Sequence, residues 1–169
     1  IAMPPANAIL FTGSSSFRIW DNLQTDFPNH TIINRAFGGS TLPELIYYAD
    51  EVIFKYQPKQ IFIYCGDNDF AADERLTGKD VFKRFKTLYK MIHKKLPNAS
   101  VVYVAIKPSP SRQKLMPKMA ETNKLSQQYL AKQKNTGFVE VYQPMLNEDG
   151  TPRKELFQKD MLHMNAEGY

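Results

Sequence analysis

Five short apolar segments, separated by helical stretches, constrain the fold of this chain more than any other feature. They read as continuous apolar runs rather than as alternating apolar and polar residues, and they cover residues 8–12, 31–36, 60–65, 100–106 and 138–142. Continuous apolar strands that alternate with helices are typical of a parallel sheet covered on both faces. The sequence therefore predicts an α/β fold with a five-stranded parallel sheet of the open, flavodoxin-like kind.

Four segments between the strands carry helical signals. The apolar residues of 79–96 recur at spacings of three and four, with the lysines on the opposite face. Residues 42–56 follow Thr41, an N-cap residue, with Pro43 in the first turn and Glu44 at the third helical position. The other two predicted helices cover residues 17–23 and 117–134.

The composition is that of a soluble globular protein. The 169 residues are one domain's length, and the hydrophobic and charged fractions, 43% and 23%, are ordinary. These values exclude a disordered chain, a collagen-like repeat and a disulfide-stabilised miniprotein. No apolar run approaches the roughly 18 residues that cross a bilayer. Because Cys65 is the only cysteine, an internal disulfide and a Cys-x-x-Cys zinc site are also excluded.

The net charge of +5 is unevenly distributed along the chain. Residues 1–78 carry 5 basic and 9 acidic side chains, residues 79–118 carry 11 and 1, and residues 119–169 carry 6 and 7. A basic segment can indicate a nucleic-acid surface. The helical spacing within 79–96 favours a solvated helix face instead, so we expect no nucleic-acid partner.

The ends of the chain carry no recognisable targeting signal. The sequence opens at Ile1, without an initiator methionine, a basic region or an apolar region. It stops at Tyr169, where a helix is predicted to begin. We therefore expect a single domain over residues 1–169 that is trimmed at both ends, which is compatible with an exported or periplasmic protein.

Polar and glycine residues follow the predicted strands. The first strand is followed by Gly13 and the three serines 14–16, and the second strand by Gly38 and Gly39. The third strand is followed by residues 66–69, and the chain after the fifth strand reaches Asp160 and His163. In open parallel sheets such loops meet at one edge, where ligands bind. Together they supply a hydroxyl, backbone N–H groups, an amide and a carboxylate–imidazole pair, which are the parts of an acyl-transfer site.

These four blocks, in this order, resemble those of the SGNH hydrolases, the GDSL-type esterases and lipases, close to their platelet-activating-factor acetylhydrolase-like branch. The family has a nucleophile block, a glycine block, a Gly-x-Asn-Asp block and a final Asp-x-x-His block. The resemblance covers the chain from about Ala8 to Tyr169. It implies a three-layer α/β/α sandwich and a carboxylic ester hydrolase that needs no cofactor.

The resemblance assigns a catalytic triad. Ser15 is the implied nucleophile, His163 the base, and Asp160 the carboxylate that orients the imidazole. Ser14 stands where the family name has aspartate, so three neighbouring hydroxyls compete for the nucleophile's role and Ser14 is the main rival. A serine here can instead cap a helix N-terminus.

The same resemblance assigns an oxyanion hole to the N–H groups of Ser15 and Gly39 and the side-chain amide of Asn68. A plain turn glycine and a turn-forming asparagine are the alternative interpretations of the last two. A metal-binding pair is the alternative for Asp160 and His163, but no other cluster of ligating residues supports it, so no metal site is predicted.

Further side chains near these blocks are given structural interpretations. Cys65 is expected to be a small buried residue and Trp20 to pack against its neighbours. Asp67 and Asp69 are expected to order the loop of Asn68. Residues 107–112 are expected at the pocket rim, where their basic groups could favour an anionic substrate.

The sequence thus predicts a serine esterase that acts on a small acyl ester, such as an acetyl group on a carbohydrate, through an acyl-enzyme. Deacylation of lysophospholipids or thioesters is an alternative. A non-catalytic, flavodoxin-like module that binds an anion at residues 14–16 is another, and so is a scaffold that has lost turnover. The expected partner is a small-molecule ester, and the sequence does not determine the oligomeric state.

Overall fold

The computed structural model describes residues 3–169, and its five strands form one sheet. The strands are β1 (Ile9–Gly13), β2 (Ile32–Asn34), β3 (Gln60–Tyr64), β4 (Ser100–Val104) and β5 (Thr136–Val139). Their order is β2-β1-β3-β4-β5, and every neighbouring pair is parallel. The predicted five-stranded parallel sheet is confirmed. Residues 1 and 2, on which the expectation of a trimmed start rests, lie outside the described residues.

The last strand begins earlier than the apolar run suggested. Thr136 pairs with Val101, so β5 starts directly after Asn135, which has a positive φ of 58°. The carboxylate of Glu140 accepts hydrogen bonds from the N–H groups of Tyr142 and Gln143, at 2.6 and 3.1 Å. The chain is therefore turned out of the sheet at the residues where the sequence predicted strand.

Within residues 3–169, seven α-helices connect the strands. They are α1 (Ser15–Arg18), α2 (Leu23–Asp26), α3 (Leu42–Tyr47), α4 (Ala49–Val52), α5 (Asp67–Ala72), α6 (Gly78–Lys95) and α7 (Met116–Leu130), with 3₁₀ turns at Phe54–Tyr56, Pro110–Leu115, Gln143–Met145 and Lys154–Leu156. Among residues 3–169, none of these helices has the length and apolar character needed to span a membrane.

The helix predictions are confirmed in position but not always in length. Helix α6 lies within one residue of the predicted 79–96. Thr41 and Glu44 form the expected capping box at the start of α3. The predicted helix over 42–56 is divided because the backbone leaves helical angles at Tyr48 (ψ 14°) and Ile53 (φ −128°). The predicted helix over 17–23 becomes the two short helices α1 and α2.

Helices cover both faces of the sheet, as an α/β/α sandwich requires, but they cover them unequally. On one face, α3, α4, α6 and α7 bury a large core that includes Leu10, Ile61 and Tyr103. On the other, which we call the α1 face, α1 and α2 pack against Phe11 and Tyr64. An apolar cavity of about 630 Å³ also lies on this second face. All loops discussed below emerge from the carboxyl edge of the sheet, where β1 lies between β2 and the central strand β3.

Candidate active site

A sharp turn at the end of β1 presents the predicted nucleophile. Gly13 has a φ of +124°, and a Cβ at this position would lie 1.9 Å from the carbonyl oxygen of Tyr64, so no other residue fits. The N–H of Ser14 donates to the same carbonyl at 2.9 Å. The chain therefore turns away from the sheet at once, and Ser15 becomes the first residue of α1.

Ser15, His163 and Asp160 form a continuous hydrogen-bonded relay. His163 Nε2 lies 3.0 Å from Ser15 Oγ, and His163 Nδ1 lies 2.5 Å from Asp160 Oδ2. The other oxygen of Asp160 accepts from the N–H groups of Leu162 and His163, both at 3.0 Å. These bonds, led by the one from the imidazole, lower the pKa of Asp160 to about 2. The arrangement joins a hydroxyl, a base and an ionised carboxylate in the order that acyl transfer requires.

The three neighbouring serines have different surroundings. Ser15 is half-buried and is the serine whose hydroxyl lies beside the imidazole. Ser14 is buried at the N-cap of α1, but its side chain caps no backbone N–H group. The buried hydroxyl of Ser16 instead lies 3.0 Å from the ammonium of Lys107. The side chains of the two flanking serines, Ser14 and Ser16, therefore do not act as caps of α1.

The predicted oxyanion donors lie on three segments: Ser15 begins α1, Asn68 lies in the first turn of α5, and Gly39 lies in the turn between β2 and α3. The Asn68 side-chain amide donates to the carbonyl of Ser40 at 3.0 Å, which joins it to the glycine block. A second hydrogen on the same nitrogen remains available to a ligand. Gly39 has a left-handed φ of +72°, which glycine adopts without strain. Within residues 3–169, the N–H groups of Ser15 and Gly39 donate to no other group. Ser15, Gly39 and Asn68 can thus offer several hydrogen-bond donors to the negative charge that develops on a substrate's carbonyl oxygen.

Two side chains that the sequence analysis did not single out brace these loops. Asn34 donates to the Phe17 carbonyl at 2.7 Å and accepts from the N–H of Ala36 at 3.1 Å, which joins the glycine block to α1. The Tyr169 hydroxyl donates to the carbonyl of Ser16 at 2.7 Å. Asn34 directly follows an apolar run, a signal that could have identified it, whereas nothing local identifies Tyr169.

Asp67 and Asp69 order the first turn of α5, which carries Asn68, in different ways. Asp67 Oδ1 accepts from the N–H of Asn68 at 3.0 Å, which is the predicted side-chain-to-backbone bond. Asp69 reaches across to the start of α3 instead, where it accepts from the N–H of Leu42 at 3.0 Å. It also pairs with Arg84 at 2.8 Å, while its burial raises its pKa. Both carboxylates therefore fix backbone around the candidate oxyanion donors.

Residues 107–112 were expected at the pocket rim with exposed basic groups, but Lys107 is buried and lines the apolar cavity instead. Its side chain is only 3% exposed and points beneath the nucleophile turn. The cause lies one residue earlier, where the Asn123 side chain bonds both the N–H and the carbonyl of Ile106, at 2.8 and 3.0 Å. These bonds continue the extended chain past β4 into the interior. A buried ammonium with internal partners does not select an anionic substrate.

Cys65 and Trp20 take the structural positions expected of them. Cys65 is fully buried, and this burial raises the pKa of its thiol well above the ordinary value. Trp20 packs against Phe11 and Tyr169, with ring centroids 6.2 and 5.2 Å away, and donates to Asp26. Neither side chain belongs to the relay.

No metal centre accompanies the relay in the described part of the chain. Residues 3–169 contain no group of three histidine, cysteine, aspartate or glutamate side chains close enough to hold an ion. The imidazole of His163 has Ser15 and Asp160 as its partners.

Solved structures share this fold over nearly the whole chain. A Streptococcus pneumonia protein provisionally named a platelet activating factor is 21% identical, with a TM-score of 0.84 over 98% of this chain and 79% of its own. A GDSL-like lipase from Bacteroides thetaiotaomicron is 22% identical, with a TM-score of 0.79 over 100% and 86%. A Clostridium thermocellum family 3 carbohydrate esterase is 15% identical, with a TM-score of 0.71 over 96% and 90%. Identities this low show the fold alone.

Sequence comparison gives the family. No curated protein is significantly similar to this chain. The model of the GDSL-like Lipase/Acylhydrolase family, in contrast, matches residues 10–169, from the first strand to the last residue. That match includes all four loops at the carboxyl edge of the sheet. The chain therefore belongs to the GDSL-like lipase/acylhydrolase family and is a hydrolase of ester bonds.

Proposed function

We propose that this protein is a serine esterase that cleaves a small acyl ester through a covalent acyl-enzyme. The observation that carries the proposal is the relay from Ser15 Oγ through His163 to Asp160, with separations of 3.0 and 2.5 Å. A hydroxyl is a weak nucleophile unless an adjacent base accepts its proton. His163 lies within reach of that proton, and Asp160 is ionised to stabilise the resulting imidazolium.

The reaction proceeds in two halves. In acylation, His163 takes the Ser15 proton while Ser15 Oγ attacks the ester carbonyl, and the negative charge on the carbonyl oxygen is stabilised by the N–H groups of Ser15 and Gly39 and by Asn68. His163 then protonates the departing alcohol, which leaves an ester on Ser15. In deacylation, His163 removes a proton from water, the hydroxide attacks this ester, and the acid is released as Ser15 regains its proton.

A short acyl group, such as acetyl on a carbohydrate, is the proposed substrate. The fold is shared with a carbohydrate esterase from Clostridium thermocellum, although the identity is only 15%. Rates of hydrolysis of p-nitrophenyl acetate and p-nitrophenyl octanoate test the acyl length. We expect a higher kcat/KM on the acetyl ester. A strong preference for octanoate would favour the alternative, a lysophospholipase-like or thioesterase-like lipid deacylase.

Labelling with a fluorophosphonate, followed by peptide mass spectrometry, tests the mechanism itself. The probe reacts with a serine that is activated by a base and faces oxyanion donors. We expect the label on Ser15, with labelling abolished in Ser15→Ala and His163→Ala. Ser14→Ala is the matched control, because Ser14 is a neighbouring serine outside the relay, and it should still be labelled.

Two results would contradict the proposal. A label on Ser14 that survives in Ser15→Ala would move the nucleophile to the rival serine. A folded wild-type protein that takes no label and hydrolyses no ester would favour a scaffold without turnover. The anion-binding alternative would then be tested by adding inorganic phosphate and measuring the shift in Tm.

A further inference from the structure

A second charged cluster lies beneath the nucleophile turn and takes no part in the relay. Lys107 Nζ donates to Ser16 Oγ at 3.0 Å and to the Tyr64 hydroxyl at 3.2 Å, and it lies 3.7 Å from Asp67 Oδ2. Arg112 approaches the same carboxylate oxygen at 3.2 Å. The side chains of Lys107 and Asp67 are only 3% and 4% exposed. Two cations, one buried and one partly exposed, therefore face one buried carboxylate.

Burying charged groups costs desolvation free energy, so the position of this cluster calls for an explanation. An ammonium loses its hydration on burial, and a nearby carboxylate restores only part of that loss. The pKa of Lys107 accordingly moves down because of its burial, while Asp67 opposes the shift. A hydrophobic residue would fill the same space without this penalty. The explanation we consider is that Lys107 and Asp67 hold two polar groups in place, the Ser16 hydroxyl and the backbone N–H of Asn68.

The cluster joins three parts of the candidate site. Lys107 bonds to Ser16, the residue after the predicted nucleophile. Asp67 bonds to the backbone of Asn68, a predicted oxyanion donor. The same segment, 107–112, also reaches the turn that carries the base, because the N–H of Ser111 donates to the carbonyl of Met161 at 2.9 Å. The loop after β4 thus contacts the start of α1, the start of α5 and the turn of residues 160–163 that carries His163.

We propose that Lys107 and Asp67 are positioning residues of the esterase, which hold the Ser15 turn and the Asn68 loop at the separation that catalysis requires. The inference rests on the proposed function. Both side chains are almost fully buried and bond to the residues beside Ser15 and Asn68, so their proposed action is through Ser16 and the backbone of Asn68. A displacement of about 1 Å in a catalytic constellation can lower the rate by roughly 10²-fold, so small movements of these loops have large effects.

Lys107→Met is the informative variant, because it removes the ammonium and keeps an unbranched side chain. Arg112 remains opposite Asp67, so no carboxylate is left unpaired, and we expect a folded protein. On p-nitrophenyl acetate we expect kcat to fall by about 10²-fold, with KM within about threefold of wild type. The rate of fluorophosphonate labelling should fall in parallel. A merely structural residue would leave kcat and the labelling rate unchanged in the folded variant.

Lys95→Met is the matched control. Lys95 is an exposed lysine that pairs with Asp50 on the surface, and the same substitution there should change neither kcat nor KM. Ser16→Ala removes the hydroxyl through which Lys107 is proposed to act. We expect it to lower kcat by at least tenfold, and the double variant Ser16→Ala/Lys107→Met to be no slower than Lys107→Met alone. Such non-additivity is the signature of two residues acting through one contact.

The outcomes separate this inference from the proposed function. A folded Lys107→Met variant with wild-type kcat would overturn the inference while Ser15 labelling still stood. Should Lys107→Met fail to fold, by circular dichroism, Ser16→Ala decides: an unchanged kcat overturns the inference, and a lowered kcat with unchanged KM supports it. Absence of labelling and of ester hydrolysis in the wild type would instead refute the proposed function, and the inference with it.

Discussion

At the scale of single residues, Asp160 performs two tasks with its two oxygens. One oxygen accepts the N–H groups of Leu162 and His163 and so shapes the tight turn between the two side chains. The other accepts from the imidazole and fixes which ring nitrogen faces Ser15. The three-residue spacing in the sequence is therefore a geometric requirement, since one carboxylate has to reach both the backbone and the ring.

The pH dependence of the reaction follows from this arrangement. The pKa of Asp160 is lowered to about 2. Because a lowered pKa favours the ionised form, the interactions of this carboxylate are present at neutral pH and are lost only as the pH falls toward 2. Among side chains, imidazole is the one that ordinarily titrates between about pH 5 and 8. Loss of activity in mild acid is therefore not expected to arise from protonation of Asp160.

We expect log kcat/KM for p-nitrophenyl acetate to fall with a limiting slope of one as the pH is lowered through the mildly acidic range. Initial rates in buffers of constant ionic strength, with circular dichroism at each pH, provide the measurement. A slope of two would mean that Asp160 also loses its charge in this range, which would contradict its lowered pKa. A rate independent of pH would remove His163 from the role of base.

At the scale of elements, the sequence predicted which loops meet but not how each is shaped. The order of strands and helices follows from apolar periodicity, because β1, β3 and β4 are mostly buried and the helices pack their apolar residues against the sheet, whereas the edge strands β2 and β5 are only partly buried. The motif spacing then placed Ser15, Asn68 and His163 at one edge. Lys107 was assigned wrongly because its direction is set by Asn123, 16 residues further along the chain. Contacts of this kind are set by tertiary packing and leave no local pattern.

Gly38 and Gly39 allow a paired test of whether the left-handed backbone conformation of Gly39 sets the position of its N–H group. Gly39 has a φ of +72°, whereas Gly38 has no positive φ and a Cβ there would meet only Arg18, at 3.8 Å. Alanine at Gly39 is strained by about 1–2 kcal/mol even though the space is open. We expect Gly39→Ala to shift the backbone N–H and lower kcat by about 10–10²-fold, below the 10²–10³-fold loss of a whole oxyanion donor.

Gly38→Ala is the internal control and should retain wild-type kcat and Tm. Steady-state kinetics on p-nitrophenyl acetate and thermal unfolding of both variants give the comparison. Equal losses in the two variants would mean that the loop tolerates no side chain at all. Equal retention would mean that the left-handed conformation at Gly39 does not govern the position of its N–H.

At the scale of the whole molecule, the two faces of the sheet differ in how firmly they are packed. The face under α3, α4, α6 and α7 holds nearly all of the fully buried side chains, such as Phe85 and Tyr103, whose rings stack at 4.1 Å. The α1 face carries the apolar cavity, lined by Phe11 and Phe62, whose rings stack at 4.7 Å. The free energy of unfolding is therefore expected to depend mainly on the face under α3, α4, α6 and α7. The candidate site lies at the carboxyl edge of the sheet, where the two faces meet.

Matched truncations of one phenylalanine on each face test this asymmetry. Phe85 is 0% exposed, so Phe85→Ala leaves a new void inside a packed core and should lower the free energy of unfolding by about 3–5 kcal/mol. Phe62 borders space that is already open, so Phe62→Ala removes fewer contacts, and we expect a loss below about 2 kcal/mol. Urea unfolding monitored by circular dichroism measures both. Equal losses would show that the α1 face is packed as firmly as the other and that both faces support the active-site loops alike.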